Sequence, residues 1–70
     1  MSDAVHLLLT AAADDALRRA VASAGGAKAA IRLLLDRAHR LQLHGGSHEE
    51  IRALVDASDR VEAMARRARR

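Results

Sequence analysis

Cysteine, proline, phenylalanine, tyrosine and tryptophan are all missing from this 70-residue chain, and each absence removes a class of function. Without Cys there is no disulfide framework and no thiolate metal site, and the redox compartment stays open. Without aromatic side chains there are no platforms on which single-stranded nucleic acid could stack. Long hydrophobic runs are missing too. Stretches such as Leu7 to Leu9, or Ile31 to Leu35 interrupted by Arg32, fall far short of a bilayer, so no transmembrane helix is expected. Asp3 near the start and the lack of a basic leader predict no signal peptide. Localisation is left unassigned.

Glycine is confined to two pairs, Gly25-Gly26 and Gly45-Gly46, which divide the chain into three segments of similar length. That punctuation predicts an all-α fold in one domain spanning residues 1–70: an up-down-up three-helix bundle with helices at about 3–24, 27–44 and 48–68. Ser2 or Asp3 can cap the first helix, and Gly25 supplies a left-handed residue to end it. Gly45 stops the second, with His44 at its carbonyl end. Ser47-His48-Glu49-Glu50 reads as a capping box opening the third. Short connections make neighbouring helices antiparallel.

The net charge of +3 dissolves when divided by segment, since residues 2–24 carry −1, 27–44 carry +3 and 47–70 carry +1. Arg66, Arg67, Arg69 and Arg70 alone account for the excess, and cations at a helix C-terminus complement its dipole. Asp14–Arg18, Asp15–Arg19, Asp36–Arg40, Asp56–Arg60 and Glu62–Arg66 are acid-before-base pairs four residues apart, the favoured order on a helix surface.

Half of the residues are apolar, but 17 are Ala, which permits close helix approach and buries little area. Inward stripes with steps of three and four run through Val5, Leu9, Ala12, Ala16, Ala20 and Ser23, flanked by Leu8 and Ala13. They continue through Ala27, Ile31, Leu34, Ala38 and Leu41, flanked by Ala30 and Leu35. The last stripe is Ile51, Leu54, Ser58, Val61, Ala65 and Ala68, flanked by Ala57 and Met64. A second series lies off these stripes: Leu7, Thr10, Asp14, Leu17 and Val21 in the first segment, and Leu33, Asp36, Arg40 and Leu43 in the second. A lone bundle would leave these Leu and Val side chains in water, so they predict an interface with copies of the same chain. Thr10, Asp14, Asp36 and Arg40 would set its register. Oligomerisation also helps a thin, aromatic-free core.

Candidate chemical sites are sparse. In an up-down-up bundle His6, His44 and His48 would gather at one end, which makes a three-His zinc site conceivable. No two of them share a helix face at i, i+4, so solvated termini explain them as well, and His39 beside Arg40 reads as surface. Lys28 is solitary, Ser58 is expected to bond its own helix, and the Gly25-Gly26-Ala27-Lys28 run is too short for a phosphate-binding loop. No catalytic residue, cofactor or small-molecule substrate is therefore expected. A helix-turn-helix reading fits poorly, because the third helix opens with His48, Glu49 and Glu50, which phosphate would repel.

Equal segments, Gly-Gly connectors, a capping box and ordered acid-to-Arg pairs, with no Asn and a single Gln42, resemble de novo designed helical bundles over the whole chain. Asp and Arg where such designs usually carry Glu and Lys, and four His, depart from that style. The resemblance implies a structural purpose, a self-assembling homo-oligomer without natural biochemical activity. Alternatives are a monomeric scaffold, a His-based metal- or ligand-binding bundle, or a basic DNA-binding module.

Overall fold

The computed structural model describes residues 3–68, so Ser2 as an alternative cap and Arg69 and Arg70 of the terminal cluster lie outside the described residues. Within them the fold is all-helical: α1 (Ala4–Thr10), α2 (Asp14–Ala24), α3 (Ala27–Leu43) and α4 (His48–Ala68). No described helix is long and apolar enough to cross a membrane.

The two later helices keep their expected bounds, and local chemistry explains why. Gly25 takes φ +103°, and its N–H and that of Gly26 donate to the carbonyls of Ala22 and Val21 at 3.1 and 2.9 Å. Two carbonyls at the end of α2 are thereby satisfied by a left-handed cap. Gly45 has φ +78°, and the Gly46 N–H reaches back to Leu41 O at 2.6 Å. Gly46 has no room for a side chain, because a Cβ there would stand 2.6 Å from Leu41 Cβ. Ser47 Oγ accepts from the Glu50 N–H at 3.1 Å and donates to the Glu50 carboxylate at 3.0 Å. Glu50 thus closes the cap through the hydroxyl.

α3 and α4 form an antiparallel hairpin. Ala27 and Ile31 share a cleft with Glu62 and Ala65 at one end, while Arg37 and Leu41 share one with Glu50, Ala53 and Leu54 at the other. α1 lies over that second end, and α2 packs against α3. Leu8, Leu17, Leu34 and Val61 are the largest fully buried side chains, joined by Leu54, Val21 and five buried Ala.

The single first helix expected over 3–24 is two helices, so the bundle is not three rods. The break falls at Ala11-Ala12-Ala13, where Ala11 has ψ 109° and Ala13 is extended at φ −118°, ψ 157°. Ala is the best helix former, so local preference cannot cause this. Core geometry does. Leu8 and Leu17 are nine residues apart, and at about 100° per residue they would point to opposite sides of a continuous helix. Both are buried in one cluster, which only a bent chain allows. The opened backbone is partly compensated: Arg60 Nη2 donates to Ala11 O at 2.8 Å. Thr10 Oγ1 donates to His6 O at 2.9 Å within the last turn of α1. Asp14 and Asp15 occupy the first turn of α2, where the helix dipole favours negative charge.

Candidate functional site

The residues expected on an outer seam divide into two sets. Leu17 and Val21 are 2% and 6% exposed and belong to the core, which corrects their assignment to an interface: the bend rotates α2 so that this stripe turns inward. Ala20 remains inward beside them, whereas Leu9, expected inside, is 38% exposed. Leu7 is half-exposed in an open crevice between α1 and α2 that Thr10, Ala16 and Arg19 also line. Asp14 is exposed in the first turn of α2. The structure therefore does not join Leu7, Thr10, Asp14, Leu17 and Val21 into one exposed stripe.

On α3 the outer stripe survives. Leu33 is 39% and Leu43 69% exposed, and between them Asp36 and Arg40 pair at 3.2 Å on the same helix. The steps of three, four and three keep these side chains on one face of a straight helix. The result is an apolar residue at each end and an ion pair in the middle. Leu35 and Val55 are also well exposed, at 46% and 39%. Val55 stands off the inward stripe of its helix, as its spacing indicates, whereas spacing places Leu35 on the flank of the inner face of α3. It sits about 100° from Leu34, enough to clear the core.

Only two ion pairs occur among the described residues, Asp36–Arg40 and Glu62–Arg66. Arg60 does not pair with Asp56; it serves the Ala11 carbonyl 49 residues away. Sequence spacing could not reveal this role, because it depends on where α1 ends.

The three-His centre does not assemble. Among the described residues no group of three or more His, Asp or Glu is placed to hold a metal ion. His6, His44 and His48 are all exposed. His6 lines an open cleft of about 230 Å³ with Asp3, Arg37 and Glu50, yet both carboxylates there already act as helix caps: Asp3 Oδ1 accepts from the His6 N–H at 3.2 Å, and Glu50 accepts from Ser47. Ser58 Oγ donates to Val55 O at 2.7 Å, within its own helix. No buried side-chain nitrogen or oxygen among the described residues lacks a partner.

Comparison with family models, with curated proteins and with solved structures finds no match to this chain.

Proposed function

We propose that this chain is a structural protomer in the manner of designed helical bundles, without enzymatic activity, whose role is to associate with copies of itself. In this reading α1 and α2 together take the place of one helix in an up-down-up three-helix arrangement. The observation that carries the proposal is the exposed α3 stripe of Leu33, Asp36, Arg40 and Leu43. Two copies meeting along it would bury apolar ends while their ion pairs fix the offset.

The magnitude is modest. Leu33 and Leu43 together offer about one leucine's worth of burial per copy, about 1.5–3 kcal/mol, whereas association costs roughly 4–15 kcal/mol. Contact through this stripe alone is therefore weak, and the assembled fraction should rise with concentration.

Sedimentation equilibrium from micromolar to millimolar protein tests this, run with and without a chelator and with duplex DNA at low salt. The expected result is self-association that is insensitive to chelator and DNA and is weakened by the double substitution Leu33→Gln, Leu43→Gln, with helical content unchanged. A 7.5 kDa particle at every concentration would establish the monomeric scaffold instead.

A further inference from the structure

We propose that α1 is an exchangeable arm: two copies of the chain swap α1 segments, with residues 4–24 straightened into one continuous helix in each copy. This deepens the self-association reading above and rests on it, but uses a different surface from the α3 stripe.

Four observations lead there. First, nothing in Ala11-Ala12-Ala13 forbids a helix, and straightening restores the backbone bonds that the bend gives up. Second, the start of α2 is poorly held in the bent form, because Ala13 as N-cap offers no side-chain hydrogen bond; Ala12 and Ala13 are exposed. Third, among the described residues one long-range side-chain bond ties the bend, from Arg60 to the Ala11 carbonyl. That carbonyl would bond within the helix once the chain straightened. Fourth, α1 has seven residues, too few to be helical in isolation, so it needs either its docking cleft or continuity with α2.

Geometry selects the partner. In a straight helix the buried face of α1, built around Leu8, lies about half a turn from the buried face of α2, built around Leu17. When α2 keeps its place on α3, α1 must point away from its own core. Its cleft over Arg37, Leu41, Ala53 and Leu54 is left empty. The segment that fits that cleft is the same α1 from a second copy, which reproduces every native contact apart from those at the hinge. Reciprocal exchange then closes a two-fold dimer. The three-residue hinge favours this outcome, since short connections invite swapping.

Two substitutions act on the hinge in opposite directions. Ala12→Gly disfavours the straight helix by about fivefold per copy, so the dimer dissociation constant should rise by about twenty-five-fold for the pair. Arg60→Met keeps the aliphatic stem but removes the tie made only by the bent form, and should tighten the dimer. Because the chain has no native Cys, exchange can be read directly: chains carrying Leu9→Cys alone and Ala53→Cys alone, mixed and oxidised, should give a covalent heterodimer, while one chain carrying both cysteines and oxidised at low concentration should remain a monomer. Self-association that ignores Ala12→Gly and Arg60→Met, gives no heterodimer and disappears with Leu33→Gln, Leu43→Gln would overturn the exchange and leave the α3 seam standing. A protein that is monomeric at all concentrations overturns both.

Discussion

Leu8→Ala and Leu34→Ala remove the same atoms from sites that are both 0% exposed, yet the two should behave differently. Leu34 lies in α3, within the hairpin that organises the core. Its truncation should cost about 2–5 kcal/mol, against a total stability of roughly 3–10 kcal/mol for a chain of this length. Leu8 is the one fully buried large side chain of α1. Holding the seven residues of α1 in place costs roughly 10 kcal/mol of chain entropy at about 1.5 per residue. Burial of Leu8 at about 1.5–3 kcal/mol, with partly buried Val5 and the backbone bonds of nearly two turns, does little more than offset that. Once Leu8 is truncated α1 can detach while the rest stays folded, so the loss is limited to the free energy that docked it, under about 2 kcal/mol. Urea unfolding followed by far-ultraviolet circular dichroism, on dilute monomeric protein, reads both quantities. Leu34→Ala should lower the midpoint at constant m, whereas Leu8→Ala should also lower m, because its folded state already exposes α1. Amide exchange in the unaltered protein should be fastest in α1. Equal losses for the two variants with m unchanged would mean that α1 is integral to a single cooperative unit, and the reasoning would fail.

Two further outcomes follow from the helix ends. Gly25→Ala should destabilise by about 1–2 kcal/mol, because φ +103° is strained for any residue with a Cβ even though the new methyl would meet only Ala29 Cβ, at a contact distance of 3.4 Å; thermal melting would show it as a lowered Tm. Ser47→Ala removes the oxygen that receives the Glu50 N–H and should cost about 0.5–2 kcal/mol. An unchanged urea midpoint for Ser47→Ala would mean that the cap is replaced by water at no loss.

Both ends of α3 and the start of α4 were legible in the residues because each rests on local chemistry: glycines able to take positive φ, and a serine three residues before a glutamate. The outer stripe of α3 was legible for the same reason, since a straight helix maps spacing directly onto a face. The break in the first segment was not. Nothing between Thr10 and Asp14 differs from good helix, and periodicity alone carries one rod from Asp3 to Ala24. Placing Leu8 and Leu17 in one core required a half-turn that no local preference records, and it moved Leu17 and Val21 inward while leaving Leu9 partly in water. The same turn recruited Arg60 to a distant carbonyl instead of Asp56. Local bonds set where helices end at glycine and serine; which faces meet is decided by the shared burial of side chains far apart in the chain, and here that burial outweighed the helix preference of three consecutive alanines.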